Sequence, residues 1–525
     1  MHADADRGGV RLAELVAALS LGVDLGFDQP MEHVLRQTLI ALRLADRIGV
    51  DDGGRTAVYY TALLANVGCH SDAHEQAKWF GDDIALKSDT YTHGNHGLGS
   101  AVAGIRRIGS GADGPIQRLR VGLEFAVSGY RDVSDMLTHH AEMARRLGEQ
   151  LGLPLGVLES LNASAEQWDG KGWPGDVKGK DVPIAARLAA IGEYTEVALR
   201  VGGVQSAVEL VRRQRGKQFD PHLADEFEAH AEVLLAELET TDTWDAVISA
   251  DPALTVTMSE TEFDTALLAI ADFIDLKSPY SLGHARAVAD LAAGAASRLG
   301  MSGEQVTSLR RAGLVHSFGK LGVSNAILDK AAPLSAGERE RLRMVPYLTH
   351  RMLRQSPALA PLGAVAVQQG ERLDGSGYPT GLTGTAISRA GRVLGAADAY
   401  QVLREPRPYR DALVPEEASA RLRDEVKAGR LDLDAVDAVL SAAGHSVPRR
   451  RTGPAGLTAR EVEVLRLLAR GLTNKEIAES LVIARKTVAN HVEHIYTKIG
   501  VSTRTAAGLF ATQHGLLGDE EPVPV

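Results

Sequence analysis

Apolar residues recur at steps of three and four along most of the chain, as in Ala287–Leu299, and no stretch alternates strictly between apolar and polar residues. The pattern predicts an all-α protein. It is sharpest at the C-terminal end, between Leu457 and Leu517. There Thr458 stands three residues before Glu461, and Thr473 three before Glu476. Each pair is a capping box that opens a helix. Val462, Val464, Leu465 and Leu468 form the inner face of the first helix, which Gly471 ends; Ile477, Ala478 and Leu481 form that of the second. A third helix is predicted over Lys486–Ile499, with Val488, Val492, Ile495 and Tyr496 inward and Lys486, Asn490, His491, His494 and Lys498 outward. Gly500 stops it, and Ala-rich Thr503–His514 supplies a fourth. Two short helices around a tight turn, the second with a polar outer face, make a helix-turn-helix, which predicts double-stranded DNA as partner. Asn and His bond base edges, and Lys neutralises phosphates.

The long front part carries one pattern twice. His33 precedes Gly49 by 16 and Ala65 by 32; His284 precedes Gly300 and His316 by the same intervals. Gly68 matches Gly319, and Asp169-Gly-Lys-Gly-Trp-Pro174 matches Asp374-Gly-Ser-Gly-Tyr-Pro379. Arg187 and Arg392 each lie 18 past that Asp, and Glu193 and Asp398 each lie six further on. Equal offsets on this scale predict tandem helical bundles over 14–240 and 262–445, then a small domain over 454–517. Thr240–Thr261 is expected to be a linker, and the first copy carries additional sequence between Cys69 and His139.

Charge divides the chain. The total is −11, but Ser446–Leu517 carries +6 and residues 1–445 carry −14. An acidic body is repelled by nucleic acid and a basic end is attracted. The single cysteine, Cys69, precludes an internal disulfide. The opening residues lack the basic and apolar segments of a secretory leader, and no apolar run is long enough to span a bilayer. A cytoplasmic protein with no membrane partner is expected.

LTAREVEVL, GLTNKEIAESL, KTVANHVEHIYTKIGV and STRTAA closely resemble the LuxR/GerE family of DNA-binding domains across nearly the whole C-terminal segment. The resemblance implies a four-helix bundle whose third helix enters the major groove and whose fourth, Thr503–Thr512, pairs in a homodimer. Asn474, Lys475, Arg485, Lys486 and Thr487 would then touch phosphates, joined by Lys498 from the outer face, and Val488, Asn490 and His491 would lie nearest the bases. Where the family often has Ser-Pro this chain has Ala484-Arg485, so a hydroxyl cap worth about 1 kcal/mol is missing.

His284-Ala-Arg, LVHSFGKLGV, Thr349-His350, ERLDGSGYPTGLTGTAI, ADAY and RPYR resemble the HD-GYP branch of HD-domain phosphohydrolases. That family hydrolyses cyclic dinucleotides at a bi- or trinuclear metal centre. The resemblance implies His284, His316, His350 and Asp398 as residual metal ligands. Ser317 stands for the bridging Asp, however, and Gln369 and Gly370 for a His pair. No working dinuclear site is expected; a single divalent metal on His284, His316 and Asp398 is the alternative to histidines bonded into the core. Lys320 persists from the motif. It is the residue to examine if catalysis remains, and with Arg372 and Arg392 it is a potential site for a nucleotide or other anion.

In the first copy Ala65-Asn66 replace His-Asp, Ser164-Ala165 replace His-His, and His33, His139 and Glu193 remain. Cys69, His70, Asp72 and His74 lie close in sequence, either as a metal cluster or as a polar loop. The leading expectation is a transcriptional regulator whose tandem body senses a ligand or mediates dimerisation. The alternative is a metal-dependent cyclic dinucleotide phosphodiesterase fused to a DNA-binding domain.

Overall fold

A computed structural model describes residues 9–93, 107–110, 114–125, 130–251, 257–446 and 454–517. The basic run Arg449–Arg451 lies outside the described residues. Every regular element among them is a helix; three isolated bridges occur and no strand. The chain divides into a body, Met1–His445, and a C-terminal unit, Ser446–Val525.

The body is built around α1 (Leu12–Gly26), which buries 13 of its 15 residues. A helix apolar on every side belongs inside a core rather than on a surface. On one flank it meets α2 (His33–Arg47) and α3 (Asp52–Leu64) of the first copy. On the other it meets the turn Phe318–Gly322 and α4, Val345–Leu353, of the second. A Cβ on Gly22 would lie 2.5 Å from Met352 and 2.6 Å from Leu321, so glycine lets the second copy approach here. One continuous apolar cluster runs from Ala13 to Ala366. The expected linker is only partly a connector: Thr243–Ser249 is helical, and its Trp244, Val247 and Ile248 are buried. Tyr59 Oη donates to Val247 O at 3.1 Å. The segment is too short for periodicity to reveal it.

The repeat recurs as geometry. A buried aspartate caps each histidine-bearing helix: Val34 N donates to Asp24 Oδ1 at 3.0 Å, and Ala285 N to Asp275 Oδ2 at 2.8 Å. The second of these helices is α5, His284–Arg298. A Cβ on Gly172 would lie 2.3 Å from Gln167 N, and one on its counterpart Gly377 2.3 Å from Arg372 N. Each Gly-Pro loop is also held by a glutamate. Glu166 accepts from the Gly175 and Asp176 amides at 3.0 and 2.9 Å, and Glu371 from those of Thr380 and Leu382, both at 2.8 Å.

The C-terminal unit comprises α6 (Ala459–Ala469), α7 (Asn474–Leu481), α8 (Arg485–Ile499) and α9 (Arg504–Gln513) around a core of Leu457, Val464, Leu465, Ile477, Ile495 and their neighbours. Both predicted capping boxes are present. Ala484 stands at the start of α8 without a side-chain cap.

Candidate functional sites in the body and the C-terminal unit

In the second copy three predicted ligands converge. His284 Nε2 is 3.2 Å from His316 Nε2 and 3.2 Å from Asp398 Oδ1, and His316 Nε2 is 3.7 Å from Asp398 Oδ1. The far side of each ring fixes its tautomer. His316 Nδ1 faces Gly313 O, and a carbonyl only accepts, so Nδ1 holds the proton. His284 Nδ1 donates to the Glu405 carboxylate at 3.0 and 3.1 Å. Both Nε2 atoms face each other and a carboxylate, so the point between them needs a positive charge: a metal ion, or a proton on His284, whose pKa burial and Lys320 lower but Asp398 and Glu405 raise further. Imidazoles held from behind by a carbonyl and a carboxylate are the usual outer support of metal-ligating histidines. Burial raises the Asp398 pKa, but bonds to His284 and His316 outweigh it and keep the group ionised, well below the ordinary value. The donor set fits one metal ion.

The remaining expected ligands are absent from this point. His350 is not in the cluster, and its Nδ1 is buried without a partner. Ser317 Oγ is likewise buried and unpartnered. Gln369 donates to His316 O at 3.4 Å. At Gly370 a Cβ would lie 2.6 Å from the Tyr378 ring, which occupies the space a larger side chain would need. Among the described residues no second set of ligands gathers here. The expected anion trio also does not form: Arg372 donates to the Gln369 and Glu371 carbonyls, and Arg392 to Ile387 O, Gly384 O and Asp432. Lys320 does sit at the site. Burial lowers its pKa, opposed by Asp275, Asp398 and Glu405. Glu405, missed in the sequence, carries no motif; its contact with His284 bridges 121 positions.

In the first copy the residues at the corresponding positions pair with one another. His33 Nδ1 pairs with Glu196, and Arg36 Nε donates to Glu196 Oε1 at 2.9 Å. Asn66 Nδ2 donates to Glu193 at 2.8 Å. The proposed Cys-His-Asp-His cluster does not converge on an ion. His70 is buried beside Phe27, while His74 donates to Asp329 of the second copy at 2.8 Å. His139, expected as a remnant ligand, is exposed; the next residue, His140, turns inward.

In the C-terminal unit Lys475, Arg485, Lys486, Thr487 and Asn490 are exposed, and Asn474 and His491 partly so. Val488 is wholly buried in the core, so it is not a base contact. Lys498 is exposed, and its Nζ pairs with Glu461 at 2.7 Å.

Residues 269–434 match the HD domain model, and residues 455–511 that of bacterial regulatory proteins of the luxR family. The chain carries an HD domain and a LuxR-type regulatory domain. The 3'3'-cGAMP-specific phosphodiesterase 3 of Vibrio cholerae is 27% identical over 419 residues, covering 79% of this chain and 91% of its own. The DNA-binding transcriptional activator DevR/DosR of Mycobacterium tuberculosis is 41% identical over 95 residues, 18% of this chain and 44% of the relative. A solved cyclic GMP-AMP specific phosphodiesterase of V. cholerae superposes with a TM-score of 0.58 at 23% identity, over 84% of this chain and 99% of the other. This structural likeness concerns the fold. Among the described residues no helix is long and apolar enough to cross a membrane.

Proposed function

We propose that the chain is a sequence-specific DNA-binding transcriptional regulator whose HD body binds a ligand of the cyclic-dinucleotide class and acts on the LuxR-type domain. The observation that carries the DNA reading is the outer face of α8 and its flank. Lys475, Arg485 and Lys486 expose cations beside Asn490 and His491, which bond base edges. A duplex is the matching partner. Leu509, 58% exposed on α9, supports pairing of two copies through that helix.

The test is binding of the full chain to genomic DNA fragments, with a chain ending at residue 446 as control. Lys475→Ala is expected to weaken binding to all sequences alike and to flatten the plot of log affinity against log salt by about one unit. An unchanged slope would remove Lys475 from the phosphate set. A cyclic dinucleotide is expected to shift the DNA affinity of the full chain; identical affinity with and without it would break the proposed coupling.

The second reading, a metal-dependent phosphodiesterase, is favoured by the His284–His316–Asp398 cluster with Lys320 beside it. His284, His316 and Asp398 would hold one divalent ion, which when bound supplies Lewis acidity at a phosphate. His284 and His316 are held in orientation by Glu405 and Gly313 O. Glu405→Gln is expected to lower the affinity of the full chain for Mn²⁺ by about 10- to 100-fold, measured by equilibrium dialysis, and His316→Ala to abolish it. Equal binding by all three chains would exclude the cluster as a metal site. With one ligand set and not two, turnover of 3'3'-cGAMP or cyclic di-GMP is expected to be absent; turnover abolished by His316→Ala would establish the enzyme reading instead.

A further inference from the structure

In the first copy, where the repeat has lost its metal ligands, lies a cavity of about 320 Å³ lined by Asn66, Ala165, Glu193 and other residues at the positions those ligands would occupy. Cys69 and His140 also line it. Cys69 Sγ is 3.4 Å from His140 Nδ1. On the other side of the ring, His140 Nε2 donates to Asp72 Oδ2 at 2.6 Å and Oδ1 at 2.7 Å. Because the thiol and the carboxylate face opposite nitrogens of one ring, they cannot converge on one ion. They form a relay: a nucleophile, a base within reach of it, and a carboxylate that orients the base. Asp72 is fixed in turn by Gln76, whose Nε2 donates to Oδ1 at 3.2 Å.

We propose that Cys69, His140 and Asp72 form an acyl-accepting thiol site, in which Cys69 is the nucleophile, His140 the proton acceptor and Asp72 a positioning residue. The substrate class is an activated acyl ester or thioester. Sγ attacks the carbonyl carbon with its proton held on His140 Nδ1. The bond from carbon to the leaving oxygen or sulfur then breaks, and that atom takes the proton from His140. The products are an S-acyl Cys69 and a free alcohol or thiol, with no change in oxidation state.

Three observations beyond the relay support this. Phe27, Leu86, Trp173 and Tyr194 give the cavity an apolar wall suited to an acyl chain. Gln76 Oε1 and Glu166 Oε2, on residues 6% and 7% exposed, line the same cavity with no hydrogen-bond partner, so each is an acceptor for donor groups on the acyl carrier. Finally, burial opposes a charge on the His140 ring, but Cys69 and Asp72 on its two sides outweigh it and raise its pKa to about 10, so the ring keeps the thiol's proton through the attack and delivers it to the leaving atom. Cys69 is itself partly exposed, so the sulfur is reachable.

Cys69 is the single cysteine of the chain, so any thiol measurement reads this site. The full chain is treated with p-nitrophenyl acetate at pH 6.5 and followed by nitrophenolate release and intact mass. The expected result is one acetyl group per chain on Cys69, formed at least tenfold faster than in the same chain unfolded in urea. Cys69→Ser removes the adduct. His140→Gln and the isosteric Asp72→Asn, each checked for an unchanged thermal melt, bring the rate down to that of the unfolded chain. Iodoacetamide gives a second readout with the same expected order of rates. A native rate at or below the unfolded rate, or one unaffected by both His140→Gln and Asp72→Asn, overturns the proposal and leaves Cys69 as a packed side chain.

Discussion

Asp83→Asn is expected to destabilise the body by about 3–5 kcal/mol, the usual result of removing one partner from a buried ion pair. Asp83 is fully buried at the start of the helix Asp83–His93, and it joins the two copies. Its Oδ2 meets Lys87 Nζ at 3.2 Å and Lys277 Nζ at 3.3 Å. Its Oδ1 accepts from Ser324 Oγ at 2.8 Å and Asn325 N at 2.7 Å. Burial raises the Asp83 pKa, but the two lysines and these bonds outweigh it and hold the group well below the ordinary carboxylate range. Its contribution is therefore complete above the unfolded pKa near 3.8 and fades only as pH falls through the depressed folded value. Asn keeps the shape and removes the charge that Lys277 and Lys87 share. Burial already lowers the Lys277 pKa below 10.5. A base depressed in this way destabilises the fold while protonated, and that effect is relieved as pH rises past its folded pKa. The deficit of the variant should therefore shrink between pH 7 and pH 10. Urea midpoints of both chains at the two pH values decide it: a loss under 1 kcal/mol at pH 7, or a deficit independent of pH, would contradict the account.

Gly319→Val is expected to lower stability by about 3 kcal/mol and to weaken metal binding at the same time. A Cβ at this position would lie 2.1 Å from Val345 O and 2.9 Å from Thr349 N, which are backbone atoms that cannot move without displacing α4. Gly319 N donates to Thr349 Oγ1 at 2.8 Å, and that hydroxyl donates to His316 O at 3.2 Å. Shifting Thr349 therefore shifts the residue whose Nε2 faces the metal position, and a loss of at least tenfold in Mn²⁺ affinity is expected. The counterpart in the first copy repeats the geometry: a Cβ on Gly68 would lie 1.9 Å from His140 O, so Gly68→Val should destabilise similarly and move His140 away from Cys69. Gly303→Ala, where the added carbon meets nothing within 4 Å, is the control and should melt like the parent. A Gly319→Val chain with parental melting and parental Mn²⁺ affinity would show that the close approach is relaxed at no expense.

What the sequence disclosed depended on whether a contact was local. Thr458 with Glu461 and Thr473 with Glu476 act within one helical turn, so spacing alone identifies both caps. Equal offsets brought His33 with His284 and Gly68 with Gly319, because a duplicated backbone repeats its constraints. The same offset of 251 also joins Asp24 to Asp275, a twin that was legible but passed over because a buried aspartate ahead of a helix has no motif. Glu405 was hidden for a different reason: its partner His284 is reached only through the tertiary fold. His139 and His140 are adjacent, and a helix turns neighbouring side chains about 100° apart, so choosing between them needs the helix rotation. Val488 failed as a DNA contact on similar grounds, because it packs into the core.

The position of α1 has a consequence for how the tandem body persists. Its residues pack against both repeats at once, so neither repeat possesses a complete interior of its own. Removing the first repeat would therefore open the interior of the second, which relies on it for one side of its core.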